Sequence, residues 1–233
     1  MRVINFSGGK TSALMTILLK PTEQDIVLFT DTGREHPLTY KFIDDFESNE
    51  GIKVTRISYD GGFEGMLERN KFLPNPMIRK CTVELKIKTA KRYLRSIGIQ
   101  RFDSYIGFRA DEDRRVKTYK QMHKKVTPHF PLYDMGITKD DVNQYWETKS
   151  YKLEIPSILG NCDLCFLKGK NAIITILQHY PDLADKWIAD EKRIGATYFK
   201  DISYEELLNL AQKQLSLFEL DKQLPAYSCS CTN

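Results

Sequence analysis

Histidine is scarce in this chain, with four in 233 residues. His36, His123, His129 and His179 show no metal-ligand spacing. None stands with a nucleophile and an acid in a readable triad, so histidine-metal and histidine-activated hydrolase chemistry drop out. Cysteine is sparse too, at five. In a cytosolic chain, which is what is expected here, that argues against a disulfide framework and toward metal or redox chemistry. No apolar run approaches the roughly 20 residues that span a bilayer. Met1-Arg2-Val3 leads directly into a strand pattern, which leaves no room for a leader. A cytoplasmic protein without a membrane partner is therefore expected. A large charge excess is missing as well. The net charge of +4 permits a nucleic-acid partner but does not demand one. There is no internal repeat and no low-complexity tract.

What is present is an ordinary globular composition, 41% hydrophobic and 28% charged. Strand-like and helix-like segments alternate through the first two thirds. Strands are expected at residues 2–6, 25–30, 53–59 and 104–108, and helices at 11–20, 38–47, 63–70 and 83–96. Gly51 and Gly98 stand where helices should stop. This order predicts an α/β fold with a doubly wound, mainly parallel sheet. After Pro156 the pattern turns helical, at residues 172–180, 181–194 and 204–218. The division expected is an α/β nucleotide-binding domain over residues 1–155 and a cysteine-containing helical region over 156–233. The apolar stripe Ile173-Ile174-Ile176-Leu177 reads as core.

The strongest motif opens the chain. The apolar run Val3-Ile4-Asn5-Phe6 breaks into Ser7-Gly8-Gly9-Lys10-Thr11-Ser12, and an amphipathic helix follows. Strand, glycine pair, hydroxyl residues and helix start together build an anion site. Glycine lets the backbone approach a phosphate, and the helix start offers free N–H groups. Lys10 adds a full charge. The spacing is not that of Walker A. Two further loops follow strands on the same sheet edge. One is Asp31-Thr32-Gly33-Arg34-Glu35, where Asp31 and Thr32 are candidates to seat a nucleoside; a plain helix-capping turn is the competing reading. The other is Gly107-Phe108-Arg109-Ala110-Asp111-Glu112-Asp113-Arg114-Arg115. Its acids suit a helix start, and Arg109 and Arg114 suit a phosphate. Thr138 with Asp141 reads as a structural capping box.

The opening loop resembles the PP-loop of the ATP pyrophosphatases, or adenine nucleotide α-hydrolases, with Thr11 where that family has Asp. The Asp-Thr-Gly segment, the Gly107-Phe108-Arg109 segment and the run Pro131-Leu132 to Tyr145 resemble the phosphoadenosine-phosphosulfate reductase-like branch of that superfamily. The resemblance spans residues 2–170 and implies a Rossmann-like nucleotide-binding fold. In its terms Ser7 to Ser12 hold the β,γ-phosphates of ATP with Mg²⁺. Gly107 and Arg109 line the nucleotide, and Lys10, Arg109 and Arg114 stabilise departing pyrophosphate. The implied activity is an ATP pyrophosphatase that adenylates a substrate for sulfur transfer, DNA phosphorothioation included. A sulfonucleotide reductase and a catalytically lapsed regulatory subunit are the alternatives. A cysteine desulfurase or persulfide carrier would donate the sulfur. The oligomeric state stays open, with a homodimer among the options.

Cys162-Asp163-Leu164-Cys165 is a Cys-x-x-Cys in a glycine-flanked turn, and Cys81 lies 81 residues before it. The spacing resembles that of the [4Fe–4S] adenylyl-sulfate reductases, with Thr82 replacing one cysteine. Three thiolates remain, and Cys229 or Cys231 is the expected fourth ligand. A cluster, structural Zn²⁺ and a redox disulfide are the readings, in that order.

Overall fold

The computed structural model describes residues 1–122, 126–156, 158–160 and 162–214. Its centre is a five-stranded parallel sheet: β1 (Arg2–Phe6), β2 (Ile26–Asp31), β3 (Thr55–Ser58), β4 (Asp103–Tyr105) and β5 (Thr127–His129), in the order β3-β2-β1-β4-β5. Val3 pairs with Ile26 on one side and Ser104 on the other. The chain leaves β1 one way and returns the other way, so β1 and β4 form the switch point where ligands bind in such sheets. Because every pair is parallel, the loops after β1, β2 and β4 share one edge.

Alternation along the strands sets the two faces. Ile4, Phe6, Val27 and Phe29 pack under α1 (Lys10–Leu19) and α2 (Pro37–Glu50). Val3 and Leu28 turn the other way and meet Leu94. After β3 come α3 (Gly62–Asn70), a π-helical segment (Cys81–Lys88) and α4 (Thr89–Ser96). The single helix expected over 83–96 is therefore two kinds of helix. The π-helical part carries i→i+5 spacing, a rare geometry that sequence periodicity does not signal.

A short 3₁₀ turn leads into α5 (Asp113–Met122), and α6 (Pro131–Asp134) and α7 (Lys139–Glu147) follow β5. Thr138 caps α7 through Asp141 as expected. β4 is shorter than expected and ends at Tyr105, before residues 106–108. β5 was not expected at all. It is a three-residue edge strand containing Pro128, which a sheet tolerates only at its edge. The last described elements are α8 (Lys170–His179), α9 (Ala184–Ile194) and α10 (Tyr204–Gln214). They share one apolar core with α3 and the π-helical segment: Phe63, Met66 and Leu85 pack with Leu164, Ile173, Trp187 and Tyr204. Among the described residues no helix is long and apolar enough to cross a membrane.

Candidate functional site

The loop after β1 takes its shape from one glycine. Gly8 has φ +73°, and a Cβ there would lie 2.5 Å from Thr39 Cγ2. Both the backbone and the space therefore demand glycine. Gly9 is extended at the start of α1 and offers no side-chain cap, and no acid occupies the first turn. The early N–H groups of α1 thus keep the positive, uncapped character that suits an anion. Ser12 closes the loop on itself. Its Oγ accepts from Ser7 N at 3.0 Å, donates to Gly9 O at 3.0 Å and lies 3.0 Å from Ser7 Oγ. Ser12 is thus a structural member of the loop. The indole of Trp146 on α7 donates to Lys10 O at 2.9 Å and anchors the start of α1.

The loop after β4 meets this one directly. A Cβ on Gly107 would lie 3.4 Å from Ser12 Cα, and Arg109 Nη1 reaches Thr11 Oγ1 at 3.5 Å. Arg109 is held by a fork onto Asp111, with Nε and Nη2 each at 3.0 Å, and its Nη1 lies 3.5 Å from Glu112. That hydrogen-bonded guanidinium holds the Asp111 carboxyl below its ordinary range. Arg115 stacks on Phe108 with 4.3 Å to the ring centroid. Arg114 is exposed and lines neither cavity described below. The structure therefore brings Arg109 to the loop of Ser7 and leaves Arg114 outside.

The loop after β2 is knitted from its own polar groups. Asp31 Oδ1 accepts from Gly33 N and from the Tyr40 hydroxyl, each at 2.8 Å. Burial, then this bond, push the Tyr40 phenol upward. Thr32 Oγ1 donates to Glu35 Oε1 at 3.0 Å. The cap on α2 comes from His36, whose Nδ1 accepts from Leu38 N. Capping is therefore not the work of Asp31.

Two cavities meet at this edge. The first lies over β1, β2 and β4, where Asn5, Ser7, Thr30, Ser104 and Lys86 line it. The second is lined by Thr32, Arg34, Cys81, Cys162, Cys165 and again Lys86. Lys86 stands between them, and its Nζ lies 3.8 Å from Glu35 Oε1. Asn5 and Lys86 are the residues that sequence reasoning missed. Asn5 had a signal, a polar residue inside an apolar strand on the face opposite Ile4 and Phe6. It donates to Ser104 Oγ at 2.8 Å and Tyr105 O at 2.9 Å. Lys86 had none. On an α-helix it would sit about 140° round from Cys81, and only the π geometry brings the two to one side.

The three expected thiols within the described residues line one cavity. Cys81 starts the π-helical segment, and Cys162 makes a backbone bridge with Glu35. Burial pushes the Cys81 thiol up. Among the described residues no three His, Cys, Asp or Glu side chains are drawn close enough to hold a metal ion. The cavity gathers soft donors of the type that zinc and Fe–S clusters take, without closing a ligand set. Cys229 and Cys231 lie outside the described residues.

Comparison with known proteins bears on the same stretch. The profile of the phosphoadenosine phosphosulfate reductase domain matches residues 2–155. An uncharacterized nin region protein of Escherichia phage lambda is 27% identical over 203 residues, which cover 74% of this chain and 68% of that one. An uncharacterized protein of Methanocaldococcus jannaschii is 32% identical over 215 residues. That match takes in 85% of this chain but 44% of the archaeal protein. Phosphoadenosine 5'-phosphosulfate reductase of Vibrio vulnificus is 32% identical over 102 residues, 37% of this chain and 40% of that enzyme.

Proposed function

The chain belongs to the phosphoadenosine phosphosulfate reductase domain family, and from that premise we propose that it is an ATP pyrophosphatase that adenylates an acceptor for sulfur transfer. The observation carrying this is the loop of Gly8. Its left-handed glycine, uncapped helix start and Lys10 suit a polyphosphate. Ser7, Gly8, Gly9, Lys10 and Thr11 would hold the β,γ-phosphates, with Mg²⁺ supplying further charge neutralisation, while Ser12 keeps the loop's shape. The nucleoside lies in the cavity of Asn5, Thr30 and Ser104, with Asp31 and Thr32 shaping its rim. Attack of an acceptor oxygen on the α-phosphorus breaks the α–β bridge and releases pyrophosphate. Lys10 and Arg109 meet the charge that develops on that leaving group. Arg114, exposed on α5, lies outside this site. Cys81, Cys162 and Cys165 would hold an Fe–S cluster or zinc, with Cys229 or Cys231 as fourth ligand. A cluster held there would supply sulfur or electrons, whereas zinc would serve the fold alone. A cysteine desulfurase or persulfide carrier loads the sulfur.

The expected products are AMP and pyrophosphate, resolved by ion-exchange chromatography; ADP and phosphate would refute the reading. Lys10→Ala should lower kcat/KM by about 1–3 kcal/mol of transition-state stabilisation, the worth of one charge-assisted phosphate contact.

A second reading is reduction of an adenylylated sulfate, favoured by the family and by the Vibrio vulnificus relative. Sulfite release from that substrate, with no pyrophosphate from ATP, would establish it instead. For the thiols, anaerobically purified protein should carry iron or zinc, and single Cys81→Ser, Cys162→Ser and Cys165→Ser changes should each lower metal content several-fold. Full metal content in all three would remove the shared centre.

A further inference from the structure

Positive charge is dense along one pair of adjoining helical segments. Residues 79–95 hold seven cations, Arg79, Lys80, Lys86, Lys88, Lys91, Arg92 and Arg95, and one carboxylate, Glu84. The whole chain has 35 basic and 31 acidic residues, so the remainder taken together is slightly acidic, although residues 114–125 form a second basic run. The seven lie on the π-helical segment and α4 and on the two residues before them. Glu84 pairs with Lys88 at 2.7 Å, and Glu35 faces Lys86. Arg92, Arg95 and Lys88 are exposed, and Lys91, Arg92 and Arg95 have no carboxylate partner among the described residues. The row does not stop at the surface: Lys86 and Lys91 line the cavity over β1 and β4.

We propose that the π-helical segment and α4 form a docking surface for the phosphodiester backbone of a nucleic acid, which they guide to the nucleotide-side cavity. This rests on the reading of the chain as an acceptor-modifying enzyme and names the class of acceptor. Two physical arguments select a polyanion. The row is on the order of 20 Å long, several times the spacing of phosphates along a strand, so a single phosphate leaves most of it unanswered. A membrane surface also attracts basic helices, and Met77, 93% exposed, lies beside the row. A bilayer is flat, however, and does not follow a row that runs to the rim of a recess at Lys86 and Lys91, whereas a strand does.

The test is fluorescence anisotropy of the full chain with labelled duplex DNA and with labelled single-stranded RNA over a salt series, beside flotation with phosphatidylserine vesicles. The tighter of the two nucleic acids identifies the source of the backbone. The triple variant Lys88→Gln/Arg92→Gln/Arg95→Gln avoids the cavity-lining residues and should keep its melting temperature and its acceptor-free ATP cleavage. Its nucleic-acid affinity should fall about tenfold or more, and the slope of log K against log salt should flatten by about 2–3, as three lost phosphate contacts require. Absence of binding to both nucleic acids, an unchanged slope in the variant, or binding to vesicles alone would overturn the proposal. None of these outcomes touches the ATP-to-AMP assay, so failure of the docking surface and failure of the parent activity are separately visible.

Discussion

Gly8→Ala is expected to abolish nucleotide binding and to destabilise the protein by two separable amounts. The left-handed backbone at φ +73° costs an alanine about 1–2 kcal/mol. The added methyl would lie 2.5 Å from Thr39 Cγ2, and relieving that overlap costs about 1–3 kcal/mol more. The two parts separate because Thr39 is replaceable. Its Oγ1 is buried without a hydrogen-bond partner, so Thr39→Ala leaves no donor or acceptor stranded. In a Gly8→Ala/Thr39→Ala double-mutant cycle, read by urea denaturation, the overlap should vanish while the backbone cost persists. Nucleotide affinity should stay low in both, since the loop still has to leave its left-handed turn. A Gly8→Ala protein as stable as the parent would show that the loop geometry described above is wrong.

Arg34→Met should be the most damaging change outside the loop. Arg34 is 5% exposed and lies under the rings of Phe63 and Trp187, 4.8 and 5.7 Å from their centroids. Its Nη2 donates to Glu64 Oε1 and to Asp190 Oδ2, each at 2.8 Å. Asp190 is fully buried, and this guanidinium is the chief charge opposing its protonation. Removing one partner of a buried pair strands the other and costs about 3–5 kcal/mol.

The loss should depend on pH in a stated direction. Burial already raises the Asp190 carboxyl above its ordinary range. Without Arg34 it rises further, and the native state then holds a proton that the unfolded chain releases. Between the unfolded pKa and the raised native one, stability falls as pH rises. The variant's deficit against the parent should therefore be largest at neutral pH and shrink toward acid. Urea midpoints between pH 4 and 8 measure it, and a deficit independent of pH would show that Asp190 does not depend on Arg34 for its charge.

Local signals were sufficient where an element carried its own reason. β1 matches its expected span, Gly51 takes the left-handed cap of α2, and Thr138 with Asp141 starts α7. The stripe of Ile173, Ile176 and Leu177 is core. β5 escaped because three residues with a central proline carry no periodicity. The site divides in the same way. The turn of Gly8 was legible, since a glycine pair between a strand and a helix marks a tight turn. That Ser12 serves the loop's own shape was not, because a serine reads the same whether it donates to a phosphate or to Gly9 O.

What the sequence by itself determined is therefore the parallel α/β architecture and the loop of Gly8, because each depends on neighbours within a few residues. What only the tertiary structure decided is which distant groups share a cavity. Arg109 is brought to Thr11 and Arg114 is not. Cys81 shares one cavity with Cys162 and Cys165. Lys86 reaches both cavities because a π-helical turn rotates it there. Helix rotation and long-range packing are settled by burial summed over the whole core, and no window of sequence contains that sum.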